Sequence, residues 1–188
     1  MPANTPRGYT YPLYTDPAPA DFPAAMADFA TDVDTDVAAL VARQTAALNR
    51  PSARVSETAN QAIAANTNTF ATFSVEEYDN AAMANLGVNN DRLTFTQTGV
   101  YLVTAEINFS SNGNATVNGR SLLFVANLFG NLGHDTRRGA QNMDTEMTST
   151  VLYQVNTVGD FIRVQVRQES GAALNISARS FSATKVAD

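Results

Sequence analysis

The chain has 188 residues, of which 44% are hydrophobic and only 16% charged, with a formal net charge of −6. An acidic, charge-poor chain argues against nucleic-acid binding by phosphate neutralisation. The absence of cysteine excludes disulfides and thiolate metal sites, and no apolar run approaches the ~18 residues of a membrane-spanning helix.

The opening residues, Met1-Pro2-Ala3-Asn4-Thr5-Pro6-Arg7, lack the apolar core of a secretory signal. The expectation is synthesis in a cytoplasm, with any role outside the cell reached by assembly or lysis. Residues 1–21 hold Pro2, Pro6, Pro12, Pro17 and Pro19 beside Tyr9, Tyr11 and Tyr14. Proline fixes φ and removes backbone donors, so the spacing predicts an extended arm. Two readings of it stand: a loose leader, or an anchor whose tyrosines lie in a groove of a partner protein.

Asp21 is placed to cap a helix with Pro23 in its first turn, and Pro51 stops it, which predicts a helix over residues 22–50. Its apolar residues fit a heptad. Met26, Val33, Leu40 and Ala47 recur every seven residues; Ala30, Val37 and Gln44 form a second series four residues later. Branched residues at both kinds of position favour three or four strands over two, and Gln44 would be a polar layer that sets register. Three heptads are too short to hold a coiled coil alone, so the remainder of the chain must share the contact. The competing reading is an amphipathic helix folded on its own domain.

After Pro51 the period changes. Thr69–Val75 mixes aromatic and β-branched residues, and Arg92–Thr96 alternates. Tyr101, Val103, Ala105, Ile107 and Phe109 alternate strictly with Leu102, Thr104, Glu106 and Asn108, the clearest strand pattern in the chain. Turns are expected at Gly99, Ser111–Asn114, Val117–Arg120, Val158–Asp160 and Ser170–Gly171, with a buried strand at Leu122–Phe129 and a polar loop at Gly130–Gln141. Strands are further expected at Met147–Val155, from Phe161 to Val166, and around Leu174–Ala178. About eight strands separated by turn residues predict a mostly β sandwich or jelly roll over residues 52–188.

Two segments carry a family resemblance. Thr96-Gln97-Thr98-Gly99-Val100-Tyr101-Leu102-Val103 resembles the turn-Gly-x-Tyr strand of the jelly-roll family of complement-component globular heads and tumour-necrosis-factor ligands. Val158-Gly159-Asp160-Phe161-Ile162-Arg163-Val164 resembles the same family's Gly-Asp strand, and the stretch around Phe181 fits its last strand. The resemblance implies a compact homotrimer packed along a threefold axis and often fed by an N-terminal stalk. The collagen-like stalk is missing here, and the segment between the motifs is shorter and richer in Asn and Gly. The N-terminal residues Gly8-Tyr9-Thr10-Tyr11-Pro12, Thr15-Asp16-Pro17 and Asp32-Val33-Asp34-Thr35-Asp36-Val37 resemble the openings of small virion proteins of tailed phages that infect actinobacteria.

Catalytic chemistry is not legible. Asp32-x-Asp34-x-Asp36 starts like a calcium loop, but Val37 stands at its glycine position and Arg43 at its final glutamate. Asp144 and Glu146 lie two apart, the spacing of one strand face, with nothing else pointing to glycoside hydrolysis. Gly130-x-x-Gly133 lacks the lysine and hydroxyl of a phosphate loop. His134, the sole histidine, with Asp135, Arg137 and Arg138 concentrates charge in a chain poor in it. This segment is either a solvated loop or a contact for an anionic glycan or partner.

The expectation is a non-enzymatic, cofactor-free homotrimer of a tailed-phage particle. Residues 1–21 would dock to other virion proteins through Tyr9, Tyr11 and Tyr14. Met26, Val33, Val37, Leu40 and Gln44 would trimerise the helix. The head would meet a host-envelope glycan, with no nucleic acid and no membrane insertion. Tail fibre or receptor-binding module is the first reading; capsid decoration or head fibre is the second.

Overall fold

A computed structural model describes residues 3–4, 10–11, 22–113, 119–127, 130–139 and 141–188. The chain divides into two compact units, Met1–Asn49 and Arg50–Asp188.

In the first unit, β1 (Ala3–Asn4) pairs antiparallel with β2 (Thr10–Tyr11). These four residues are the described part of the arm expected to be extended. Helix α1 spans Phe22–Leu48, within two residues of the predicted limits; the expected cap Asp21 lies outside the described residues. The helix holds because it contains no glycine and is rich in alanine, the best helix former. Thr31 and Thr35 satisfy their hydroxyls on the preceding turn, Thr31 on Ala27 O (2.9 Å) and Thr35 on Thr31 O (2.8 Å). Neither the first nor the last turn carries a charge, so Asp28 to Asp36 and Arg43 gain little from the helix dipole. No described helix is long and apolar enough to cross a membrane.

The second unit is built from β3 (Ser52–Glu57), β4 (Gln61–Ile63), β5 (Thr69–Phe70), β6 (Val75–Asp79), β7 (Ala84–Asn85), β8 (Asn89–Thr94) and β9 (Gly99–Phe109), followed by β10 (Gly119–Ala126), β11 (Gly130–Arg138), β12 (Thr145–Val155), β13 (Phe161–Gln168) and β14 (Leu174–Ala187). Eight of these are six residues or longer, the number the turn spacing predicted. They form two antiparallel sheets. The first runs β11-β10-β13-β8-β7, with β5 on β13; the second runs β12-β9-β14-β3-β6, with β4 on β14. Apart from the hairpins β10–β11 and β7–β8, neighbouring strands are distant in sequence, the mark of a jelly roll and not of a meander.

The core lies between the sheets and follows the period-two pattern. Tyr101, Val103, Ala105, Ile107 and Phe109 of β9 are fully buried, as are Ile162, Val164 and Val166 of β13. Phe181 stacks on Phe73 and Phe124, with ring centroids 5.7 and 6.2 Å apart. At the other end of the sandwich Phe95 lies 4.6 Å from Tyr101 and 5.5 Å from Tyr153.

Several local expectations are corrected. Thr69–Val75 is not one strand: β5 belongs to the first sheet and β6 to the second, and the chain crosses between them. Along the crossing Ala71 N bonds Val164 O (2.9 Å), Phe73 N bonds Asn90 O (2.8 Å), and the Phe73 ring plugs the core. Arg179, almost wholly buried, locks the crossing by donating from Nε to Thr72 O (2.6 Å) and from Nη1 to Ala59 O (2.7 Å). Gly99 does not turn the chain; it begins β9. A side chain there would meet Ala187 O at 2.5 Å, and φ is +133°, so only glycine fits. Gly119 and Arg120 belong to β10, and residues 117–118 of the turn expected there lie outside the described residues. The buried strand placed at Leu122–Phe129 is Gly119–Ala126, with 128–129 likewise outside.

Candidate functional site

Gly159 and Asp160, which carry the Gly-Asp resemblance, have a structural task. Gly159 takes φ +95°. Its N–H bonds Phe95 O (2.9 Å), and Asp160 O accepts from Phe95 N (2.7 Å). The buried Asp160 carboxylate accepts from Asn127 Nδ2 (3.2 Å) and Thr157 N (3.3 Å), which ties the turn to the end of β10. At the opposite end Gln168 is fully buried; it donates to Ile63 O and Ala172 O and accepts from Ser170 N and Oγ. Both polar clusters are satisfied internally and hold loops in place, which leaves the outer faces of the sheets and the helix as the surfaces free to act.

The outer face of the second sheet carries rows of hydroxyl and leucine side chains. Pairing register aligns Thr150, Thr104, Ser182 and Arg54 in one row and Leu152, Leu102, Thr184 and Ser52 in the next. The Thr104 and Thr150 hydroxyls are 3.1 Å apart. Leu102 and Leu152 lie directly opposite each other, with 41% and 64% of their surfaces open to solvent. Beyond them Arg54 pairs with Glu77 (2.8 Å) and approaches Glu106 (3.7 Å), which accepts from Ser180 Oγ (3.0 Å). These groups line an open cleft of about 350 Å³ that Glu57 and Glu146 also border. Hydrogen bonds from Ser74 Oγ and from the Ala59 and Thr58 amides hold the Glu57 carboxyl below its usual value.

The outer face of the first sheet carries arginine. Arg163 stacks between Phe70 (4.8 Å) and Phe161 (4.9 Å), Arg92 lies over Phe161 (4.4 Å), and Asp91 pairs with both guanidiniums, at 3.0 Å from Arg92 and 3.2 Å from Arg163. Arg167 follows on the same side of β13. Arg120 alternates inward and is buried over Phe109, where desolvation lowers its pKa.

The expected loop of His134, Asp135, Arg137 and Arg138 is the edge strand β11, and its alternation divides the four. Thr136 pairs with Ser121 and Asp135 with Leu122. His134, Thr136 and Arg138 therefore face outward, while Asp135 and Arg137 face the other way. There the two side chains pair at 2.9 Å, and Arg137 Nη1 reaches Glu146 O (3.4 Å). A bulge between Leu122 and Phe124 sets this register. Gly133 makes it possible: at φ +56° it lies so close to Phe124 and Val151 that a Cβ would approach them to 3.0 and 3.3 Å. Asp144 and Glu146 are not a facing pair. Asp144 precedes β12 and accepts from Ser111 N (2.8 Å), whereas Glu146 lies on the open face of the second sheet.

On α1, Val33 is half-buried, Gln44 is exposed, and Met26, Val37 and Leu40 are 44%, 51% and 55% exposed. Val41 adds a further 55% exposed apolar residue to the same helix. Tyr9 and Tyr14 lie outside the described residues, and Tyr11 is described only as part of the β1–β2 ladder. No group of three or more acids or histidines able to hold a metal exists among the described residues. Sequence reasoning missed Ser121, Thr136 and Arg167. They are far apart in the chain and meet only through strand pairing, although the alternation of Phe161 to Gln168 already placed Arg163 and Arg167 together on one face.

No family model and no curated protein matches the chain. Solved structures do. The globular domain of zebrafish complement 1qA protein superposes with a TM-score of 0.57 at 11% identity, covering 73% of this chain and 98% of that one. Murine APRIL at pH 5.0 gives 0.56 at 13% identity over 73% and 99%, and at pH 8.0 gives 0.54 at 14% over the same shares. The likeness is one of fold: a mostly β jelly roll of the complement-head and tumour-necrosis-factor type, preceded by one helix.

Proposed function

We propose that this chain is a homotrimeric structural protein of a tailed-phage particle, a tail-fibre or receptor-binding module that assembles through Met26, Val33, Val37, Leu40 and Gln44 and through its β head. The observation that carries self-association is the open apolar series on α1: Met26, Val37, Leu40 and Val41 stand at helical spacing with about half of each side chain in solvent. A stripe of that kind is covered in use, because apolar area left in water costs about 25 cal/mol per Å². The hydroxyl face around the exposed Leu102 and Leu152 is a second surface suited to packing of copies. The resemblance of the head to trimeric jelly rolls supports a threefold number.

The virion placement is supported by the resemblance of residues 8–12, 15–17 and 32–37 to the openings of small virion proteins of tailed phages. It assigns residues 1–21, with Tyr9, Tyr11 and Tyr14, to docking on the particle. Threefold presentation lets individually weak head contacts act together. We assign no catalytic role.

Light scattering after size exclusion, on the full chain and on residues 52–188, tests the assembly. The expected result is a trimer for the full chain. A trimer for the head as well would place part of the contact on the sheet face, and a monomeric full chain would overturn the reading. Deletion of residues 1–20 is expected to leave the trimer intact and abolish incorporation into particles. Saturable binding of the full chain to bare capsids would move the assignment from tail to capsid decoration.

A further inference from the structure

We propose that the outer face of the first sheet holds a binding site for the carboxylate of an acidic saccharide, built by Ser121, Thr136 and Arg167 and guarded by Glu169. It rests on the receptor-binding form of the proposed function and names the chemistry of the ligand.

Ser121 lies on β10 between Arg167 of β13 and Thr136 of β11 and is paired with both. The three side chains therefore form one row across three strands, with neighbours about 4.8 Å apart. Between them lies a depression of about 50 Å³, which Gly119, Arg120 and Glu169 complete. A water needs roughly 10–15 Å³ measured this way. The space accepts one carboxylate, and a sugar ring must stay outside with its acid group inserted.

The donors suit that group. Arg167 Nη2 holds Glu169 Oε1 at 3.2 Å, while Arg167 Nε is shielded from solvent and has no hydrogen-bond partner. Folded proteins rarely leave such a donor unmade, and a guanidinium binds a carboxylate best through two parallel donors. Thr136 Oγ1 is positioned by His134 Nε2 at 2.9 Å. Glu169 shows how a carboxylate is held here. It lies so close over Gly119 that a Cβ there would come within 2.8 Å of Glu169 Oε2. Its side chain is 45% exposed, so it is free to yield to a ligand.

The surroundings favour a saccharide over an acidic peptide. The row that continues along β13 is Gln165 and then Arg163, the latter layered with Phe70 and Phe161. It presents amide and guanidinium groups suited to sugar hydroxyls, which a glutamate-rich peptide lacks.

The test is calorimetric titration of the full chain with three probes: a tetrasaccharide of alternating glucuronic acid and N-acetylglucosamine, the neutral N-acetylglucosamine tetrasaccharide, and a glutamate-rich peptide. The acidic sugar is expected to bind best. Arg167→Gln should weaken it about ten-fold, the scale of one charge-assisted hydrogen bond, and Glu169→Gln should tighten it. Thermal melting confirms that both variants fold. Equal binding of the two sugars, preference for the peptide, no binding, or indifference to Arg167→Gln would each overturn the site. Solution mass separates the two readings: a trimer without sugar binding sinks only this site, and a monomer that binds with these variant effects sinks only the assembly.

Discussion

The helix and the head solve the same problem in opposite ways. Every buried apolar residue among those described lies between Pro51 and Ala183, in the head. On α1 Met26, Val37, Leu40 and Val41 stay open, and Phe29 and Val33 are only half-buried. A sandwich of two sheets closes its hydrophobic contacts within one chain, because each strand has a face to hide and another sheet to hide it against. A single helix has a stripe but no facing element, so its cohesion depends on what covers it. Substitutions in the head are therefore expected to act on folding, and those on α1 on association.

The largest effect is expected from Phe181→Ala, which removes the ring shared by Phe73 and Phe124. The head should lose about 3–5 kcal/mol, read as a lowered urea midpoint in both the full chain and residues 52–188. A loss confined to the full chain would mean that the two units do not divide as described. Val37→Asp should do the converse. It would bring a carboxylate from each copy to one layer of the bundle, weaken self-association at least ten-fold by sedimentation or light scattering, and leave the melting of the head unchanged. Unchanged mass would count against the helical contact.

Gly133→Ala tests the edge strand that carries His134 and Thr136. With φ at +56° and Phe124 and Val151 so near, the expected cost is roughly 1–3 kcal/mol; a neutral outcome would show that the bulge yields. The smallest effects should come from pH. Burial raises the phenol pKa of Tyr101 and Tyr153 above the ordinary 10.0, with Asp160 adding to the rise at Tyr153. The native state thus prefers the neutral phenols, and that stability is complete below pH 10 and lost as pH climbs through the raised values. Tyr153→Phe should flatten the alkaline decline in melting temperature. Glu57 works the other way. Its lowered pKa contributes above 4.5 and is lost as acid protonates it, so Glu57→Gln should slightly flatten the acid limb.

Where a stretch has one wet face and one dry face, its structure was readable directly. The alternation in Tyr101–Phe109 and the apolar run from Phe161 to Val166 identified both strands. Pro23 in a first turn and Pro51 as a stop gave the helix to within two residues. The polar segment from Gly130 was misread as a loop because an edge strand that is mostly open to solvent has no alternation to show; only pairing with β10 makes it a strand. Thr69–Val75 was misread for a different reason. Its residues suit a strand, but backbone partners in two different sheets, together with the Arg179 side chain from 107 positions away, break it in the middle.

The sequence by itself determined the class of the fold and the strands with the clearest alternation, Tyr101–Phe109 foremost. Each follows from local periodicity and from backbone restrictions that act within a few residues. Tertiary structure alone decided which strands are neighbours, and so which surface side chains share a row. Ser121, Thr136 and Arg167 meet because hydrogen-bonded register carries residues 15 and 46 positions from Ser121 into adjacent places. No periodicity along the chain encodes that meeting.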